Sequence, residues 1–167
     1  MCRGYGRRVL SSLRSLESCS HQFPRVLGRD FSGSVVAVGG AVTRVGVGDE
    51  VWGAIFPSQE GSHQEFCLAQ ESSVSLKPEV LTHLEAASVP YAALTAWSAL
   101  ARSGVRPGSR AVVVGGAGGV GLLASQLLER HFKCEVTVLA AEKYHNRLAR
   151  YGAFQLIDNR KSSEDLQ

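Results

Sequence analysis

Hydrophobic and polar positions follow different patterns in the two halves of the chain. Between residues 33 and 76, short apolar stretches recur at intervals of roughly ten residues, separated by glycine turns. This spacing is typical of a small β-barrel or sandwich, and it predicts strands at 33–38, within 45–52, at 64–69 and at 73–76. After Thr82 the spacing becomes helical, with one helix ending at Pro90 and another covering 91–102. We therefore place a domain boundary near Pro90.

The second half of the chain combines a strand, a glycine turn and a helix in direct succession. Ala111–Val114 is an apolar, β-branched run of the kind found in a strand buried on both faces of a parallel sheet. A helix is predicted over 122–132, and a second strand over 135–140. One apolar stripe of the helix is expected to face the sheet, formed by Val120, Leu123, Ala124, Leu127 and Leu128.

Three glycines between this strand and the helix have the spacing G-x-G-x-x-G: Gly116, Gly118 and Gly121. Glycines here allow a tight turn and a close approach of the backbone to a diphosphate, whose charge meets amide groups and the positive end of a helix. The strand before the turn and the helix and strand after it supply the context that this motif requires. The pattern thus predicts dinucleotide binding by the whole turn, which also contains Ala117, Gly119 and Val120. The alternative is a glycine-rich turn without a ligand.

Composition and charge narrow the function classes. With 44% hydrophobic and 20% charged residues the chain is globular in composition. A net charge of +3 is too small to indicate a nucleic-acid partner. No apolar run approaches the roughly 18 residues of a membrane span, so we expect no transmembrane segment. The four cysteines show neither C-x-x-C nor metal-ligand spacing with the histidines, which predicts reduced thiols in an intracellular protein and no metal site.

Six motifs occur in the order seen in the medium-chain dehydrogenase/reductase superfamily, which the chain resembles. They are GRDFSG at 28–33, GDEVWG at 48–53, QEF at 64–66, KP at 77–78, EAASVPYAALTAW at 85–97 and GGAGGVG at 115–121. In addition, YGAFQLID at 151–158 is similar to the superfamily's third Rossmann strand. Within the superfamily the chain is most similar to the zinc-free quinone oxidoreductase branch, and there to its mitochondrial, reticulon-interacting members. The residues that carry this finer resemblance are GYG at 4–6, FPxxLGRDxSG at 23–33 and PYxALTAWSA at 90–99.

This resemblance implies an α/β fold with two parts. A partial GroES-like β-barrel domain, the substrate domain, covers 1–90, and the first half of a Rossmann dinucleotide-binding domain covers 91–167. The implied activity is hydride transfer from NADPH to a quinone or a similar conjugated acceptor, without zinc, in mitochondria. An enoyl-thioester reductase and a non-catalytic interaction protein on the same fold remain alternatives. The resemblance also leaves a homodimer and a membrane-protein partner open.

Two departures from the superfamily pattern matter. Arg29 and Asp30 stand where zinc-dependent members place a His-Glu pair, so we expect no catalytic zinc and a structural ion pair instead. Family members usually extend further at both ends, so we expect a fragment that is inactive and unstable as an isolated monomer. The Arg- and Ser-rich residues 1–20 fit either a transit peptide or a solvated helix, and the match of Met1 to an internal methionine of the family weakens the former.

The end of the second predicted strand is expected to determine the cofactor. Glu142 lies near the spacing at which an acid binds the ribose 2′-hydroxyl of NAD, whereas Lys143 beside it can meet a 2′-phosphate as a point charge. In the NADPH-using members a serine, a lysine and a tyrosine match Ala141, Lys143 and Asn159. Because the lysine is retained, the resemblance favours NADPH and leaves NADH open.

The resemblance assigns few other site residues and no catalytic residue. Thr95 matches a threonine that faces the cleft near the nicotinamide. Tyr91 either lines the same cleft or packs in the core at the start of a helix. His63 and Cys67 lie on the cofactor-facing side of the barrel in this alignment, but neither has a partner for nucleophilic catalysis, and we expect both to be structural.

Overall fold

The computed structural model of the chain describes residues 25–151, 153, 155–158 and 160. The chain divides into two compact units, Met1–Tyr91 and Ala92–Gln167. Among the described helices, the longest has 13 residues, and none is both long and apolar enough to cross a membrane.

The first unit contains an antiparallel sheet of three strands in the order β1-β2-β3. The strands are β1 (Asp30–Ser34), β2 (Glu50–Ala54) and β3 (Val74–Leu76). Phe31 lies opposite Gly53, where any Cβ would overlap the Phe31 ring and the Ser73 carbonyl oxygen. The ring is therefore fully buried, and the core packs around it, formed by Phe31, Val35, Val51, Ile55, Cys67 and Val74.

Two helices follow the sheet, α1 (His83–Ala86) and α2 (Pro90–Arg102). Thr82 and Glu85 form a capping box at the start of α1: Glu85 N–H donates to Thr82 Oγ1 at 3.3 Å, and Thr82 N–H donates to Glu85 Oε2 at 2.9 Å. Helix α2 begins at Pro90, a residue that has no N–H to leave unsatisfied in a first turn. Its next N–H, that of Tyr91, donates to Asp30 Oδ1 at 2.6 Å.

The second unit contains a parallel sheet in the order β4-β5-β6, formed by β4 (Arg110–Val114), β5 (Glu135–Leu139) and β6 (Gln155–Ile157). Helix α3 (Gly119–Arg130) connects β4 to β5. A 3-10 turn at Glu142–Tyr144 and helix α4 (His145–Ala149) lie between β5 and β6. The core lies between the sheet and these helices and includes Leu128, Val136, Val138, Ala140 and Leu148.

Several predicted elements are confirmed. Strand β3 lies in the predicted 73–76, β5 in 135–140 and β6 in 151–158, and α2 covers the predicted 91–102. Strand β2 follows the turn predicted within 45–52, where Gly46 N–H donates to Asp49 Oδ2 at 2.8 Å.

Two predictions for the first unit are wrong. The strand expected at 33–38 lies earlier, as β1, because Phe31 packs in the core while Val36 and Val38 are 48% and 43% exposed. The strand expected at 64–69 is absent from this described segment. Residues 61–63 instead donate backbone hydrogen bonds to 26–28, and Gln64 N–H bonds back to the Ser62 carbonyl at 2.8 Å, so the chain turns there.

Two predictions for the second unit also need correction. Strand β4 is not buried on both faces in the described part of the chain: Ala111 and Val113 pack against the core, whereas Val112 is 65% and Val114 76% exposed on the opposite face. It is also an edge strand among the described strands. The expected apolar stripe of α3 is confirmed at Leu128, which is buried against the sheet, but not at Val120, which is 41% exposed. Ser125, which the expected stripe did not include, is also buried. Ser125 fits this face because its hydroxyl donates to the Gly121 carbonyl at 2.9 Å.

Candidate dinucleotide-binding site

The turn between β4 and α3 lies at the carboxyl end of the parallel sheet and is fixed to β5. Gly115 has φ +77°, a conformation that favours glycine. The N–H groups of Gly115 and Gly116 both donate to the Leu139 carbonyl, at 3.0 and 3.3 Å, and Gly118 N–H closes the turn onto the Gly115 carbonyl at 3.0 Å. These bonds fix the turn at the edge where α/β proteins bind their ligands.

Two of the motif glycines are required by packing. A Cβ at Gly116 would overlap the Val138 side chain of β5, and a Cβ at Gly121 would overlap the Gly115 carbonyl oxygen. Gly118 and Gly119 are less constrained, because the nearest atoms to a Cβ there lie at 3.4 and 3.8 Å. Gly116 and Gly121 thus allow the start of α3 to pack against the turn. At Gly118 and Gly119 the turn has room for a further atom.

The start of α3 presents unsatisfied donors. Its N-cap is Gly118, which has no side chain to accept a hydrogen bond, and its first turn contains no acid. The first backbone bond into the helix is from Leu122 N–H to the Gly118 carbonyl, at 2.9 Å. The N–H groups of the three preceding residues bind no acceptor in the described part of the chain, namely those of Gly119, Val120 and Gly121. Three free donors at the positive end of a helix can bind an anion such as a diphosphate.

The other predicted cofactor residues follow β5, on the same edge of the sheet. Ala141 is half-buried at the start of the Glu142–Tyr144 turn. Lys143 is exposed, and its Nζ lies 5.0 Å from the centre of the Tyr144 ring, within cation–π distance. Asn159 lies outside the described residues, so its predicted role has no structural counterpart here.

A shallow depression beside the glycine turn includes residues that the sequence pattern missed. It is lined by Ala117, Leu122, Tyr144, Arg147 and Leu148. Ala117 and Leu122 come from the turn and the start of α3, and the others from the segment after β5. The only signal in the sequence was the spacing of Lys143 and Arg147, two cations four residues apart.

Thr95 lies exposed on α2. The Cβ of Ala92, three residues earlier, lies 3.8 Å from the Cβ position at Gly119. Because residues three apart share a helix face, the face of α2 that carries Thr95 adjoins the start of α3. The Tyr91 side chain is 43% exposed, which excludes the core-packing alternative for it.

Asp30 receives the Tyr91 N–H in a half-buried position. Burial raises the pKa of the Asp30 carboxyl above its usual value, and the bond from Tyr91 partly offsets that rise. The neighbouring Arg29 donates to two carbonyls, those of Phe56 at 2.8 Å and Pro57 at 3.3 Å.

Cys67 is buried in the core of the antiparallel sheet, and His63 is exposed. Among the described residues, no group of three or more His, Cys, Asp or Glu side chains could hold a metal ion.

A serine, a histidine and a glutamate lie in line in the first unit. His83 Nδ1 lies 2.8 Å from Ser32 Oγ, and His83 Nε2 lies 3.2 Å from Glu50 Oε1. Ser32 is only 3% exposed, and its hydroxyl donates to the Val51 carbonyl at 2.9 Å. The Ser32 hydroxyl thus has a backbone acceptor as well as the histidine beside it, which is typical of a structural hydrogen-bond network. Lys77 first, and then His83, hold the pKa of Glu50 below its usual value, as expected for a structural network.

The fold and this site define a class of protein. Residues 9–94, just over half of the chain, match the alcohol dehydrogenase GroES-like domain family. A parallel β-α-β unit with an open glycine turn follows that match directly. The chain therefore belongs to this family of the medium-chain dehydrogenase/reductase superfamily.

Individual relatives narrow the class further. The mitochondrial NAD(P)H oxidoreductase RTN4IP1 of Mus musculus is 38% identical over 166 residues, covering 95% of this chain and 42% of that protein. The quinone oxidoreductase from Coxiella burnetii has a TM-score of 0.81 at 36% identity, covering 92% of this chain and 47% of that one. Mycobacterial Rv1454c, complexed with NADPH, has a TM-score of 0.81 at 29% identity, with coverages of 98% and 51%. The chain thus spans about half the length of the relatives it matches.

Proposed function

We propose that this chain binds NADPH at the glycine turn and acts as part of a zinc-independent oxidoreductase that reduces a quinone or a similar conjugated acceptor. The observation that carries the proposal is the start of α3, where three N–H groups beside a turn closed by glycines have no acceptor among the described residues. A diphosphate satisfies these donors and meets the positive end of the helix. The NADPH complex of a relative with the same fold supports this choice of ligand.

The choice of NADPH over NADH is supported by the charge at the end of β5. Lys143 is exposed there and can move toward a 2′-phosphate, because its contact with Tyr144 is a weak surface interaction. Ala141 leaves room at the strand end but offers no hydroxyl, and Glu142 is the one feature that favours NADH. We assign to Asn159 the remaining contact at this subsite.

We further propose that residues 1–90 supply the substrate domain and 91–167 the dinucleotide-binding domain, with Thr95 near the nicotinamide. NADPH, when bound, supplies a hydride. Arg29 and Asp30 support zinc independence, since Arg29 is bonded to backbone carbonyls and a guanidinium is no zinc ligand. The name of the mouse relative supports a mitochondrial location. A homodimer and a membrane-protein partner rest on the family resemblance alone.

Two measurements test this function. Titration calorimetry of the chain with NADPH is expected to give saturable binding, and an absence of binding by the folded chain would contradict the whole proposal. NADPH oxidation that depends on an added short-chain quinone is expected of a protein of the relatives' full length that contains this chain, since the isolated chain is expected to be inactive. Faster oxidation with an enoyl thioester would favour the enoyl reductase alternative, and binding without oxidation of NADPH by either acceptor would contradict the proposed reaction.

A further inference from the structure

The depression beside the glycine turn combines an apolar floor with two planar side chains. Its floor is formed by Ala117, Leu122 and the buried Leu148, and Tyr144 and Arg147 complete its lining. An apolar surface next to a phenol ring and a guanidinium suits a flat heteroaromatic ring. Because Ala117 belongs to the turn proposed to hold the diphosphate, the adenosine attached to that diphosphate is the part of the ligand nearest the depression.

The segment that contributes Arg147 is positively charged. Residues 142–150 contain three cations, Lys143, Arg147 and Arg150, against the single acid Glu142. The Lys143 ammonium lies over the Tyr144 ring. Arg147 is exposed at the depression, and its side chain forms no ion pair or hydrogen bond with the described residues. Its guanidinium is therefore available, whereas that of a salt-bridged arginine would first have to leave its partner.

We propose that Arg147 is the principal residue that recognises the 2′-phosphate of the bound dinucleotide, with the adenosine lying over the surface of this depression. The inference rests on the proposed function and deepens it, because it moves the main determinant of NADPH specificity from Lys143 to Arg147. A guanidinium offers a phosphate two parallel N–H donors, whereas an ammonium acts as a point charge. Lys143, four residues earlier, adds long-range attraction from the same side of the segment.

Two other roles for Arg147 make different predictions. If it contacts the diphosphate, its removal weakens all adenine dinucleotides equally. If it stacks on the adenine ring, its removal also weakens ligands that lack a 2′-phosphate. Only recognition of the 2′-phosphate confines the loss to ligands that carry this group.

The experiment uses a pair of ligands that differ by the 2′-phosphate alone, 2′,5′-ADP and 5′-AMP. Calorimetry on the full chain compares the wild type with Arg147→Gln, Arg147→Lys and the matched control Arg150→Gln. The control removes the same charge from the same segment, at an exposed position that does not line the depression.

We expect Arg147→Gln to weaken 2′,5′-ADP roughly tenfold or more, as for the loss of a charge-assisted hydrogen bond. Binding of 5′-AMP stays within about twofold of the wild type, and so does binding of both ligands to Arg150→Gln, as for an exposed charge. Arg147→Lys retains the charge without the paired donors and falls between the wild type and Arg147→Gln.

An equal loss of both ligands in Arg147→Gln, or an unchanged affinity for 2′,5′-ADP, would overturn the assignment of Arg147 while leaving dinucleotide binding intact. Failure of the folded wild-type chain to bind either ligand would instead overturn the proposed function, and this inference with it. Circular dichroism of each variant establishes that the fold is retained, so a loss of affinity is a property of the site.

Discussion

Replacing Gly119 by aspartate tests the glycine turn without disturbing the fold. Gly119 is the first residue of α3, and the nearest atom to a Cβ built on it, Ala92 Cβ, lies 3.8 Å away, which is ordinary van der Waals contact. Its φ lies outside the left-handed region, so a larger residue introduces no backbone strain. A carboxylate in the first turn of a helix contributes about 0.3–1 kcal/mol of stabilisation through the helix dipole. The folded chain should therefore tolerate Gly119→Asp.

The same carboxylate opposes a bound diphosphate. At a separation of about 6 Å and an effective dielectric constant of about 20, two unit charges repel by roughly 3 kcal/mol. This energy corresponds to a loss of affinity on the order of 100-fold. The aspartate can also accept hydrogen bonds from the free N–H groups of α3 that the phosphate would use, which adds to the loss.

The assay is calorimetric titration of the wild type, Gly119→Asp and the matched control Gly119→Ala with NADPH, together with urea unfolding of each. Gly119→Ala adds the Cβ without the charge, so it should bind NADPH within a few-fold of the wild type, as for a small change in packing. Gly119→Asp should unfold at the wild-type urea concentration or higher and bind roughly 100-fold more weakly. An unchanged dissociation constant for folded Gly119→Asp would refute the assignment of phosphate to this turn.

Three further predictions concern other residues. Lys143→Glu should reduce the preference for NADPH over NADH, measured as the ratio of the two dissociation constants, without abolishing it while Arg147 is present, and a wild-type chain that binds both equally would exclude a 2′-phosphate role for either residue. Because burial raises the pKa of Asp30 above 3.8, ionisation of this carboxyl costs stability as the pH rises through its folded pKa. Asp30→Asn, which keeps the acceptor for Tyr91, should therefore have a higher free energy of unfolding than the wild type at neutral pH, measured by urea unfolding. This difference should shrink as the pH falls toward 3.8, the pKa of the carboxyl in the unfolded chain. Thr82→Ala should lower the free energy of unfolding by about 1 kcal/mol through loss of the capping box, and an unchanged midpoint would contradict this.

The elements that the sequence predicts well are those specified by neighbouring residues. The β-branched run before the turn, the glycine spacing and the proline at the start of α2 act within a few residues, so a local pattern is sufficient for β4, the turn and α2. The errors arise where contacts between distant residues decide. Strand β1 begins at Asp30 because Phe31 packs over Gly53, a partner 22 positions away that the local pattern does not include. The error in α3 has a different cause: Ser125 can be buried although it is polar, because its hydroxyl donates to the Gly121 carbonyl one turn earlier.

In the candidate site, too, local features are predicted from the sequence, and features that depend on contacts between distant residues are not. The glycine turn and Lys143 are visible in the sequence because a motif and a charge lie at recognisable positions. The depression is not, since Ala117 and Leu122 join Tyr144, Arg147 and Leu148 only after β4 and β5 pair in parallel. The requirement for glycine at 116 likewise depends on Val138, which approaches the turn from the neighbouring strand.

Amide chemical shifts of the isotope-labelled chain, followed during titration with 2′,5′-ADP, show whether the glycine turn holds the phosphate of the ligand. We expect the largest saturable changes at the N–H groups of Gly119, Val120 and Gly121, because these free donors acquire a phosphate acceptor. The amides of the antiparallel sheet, such as that of Phe31, should stay unchanged. Saturable binding that leaves the three glycine-turn amides unshifted, or that shifts the antiparallel sheet instead, would contradict the assignment of phosphate to this turn.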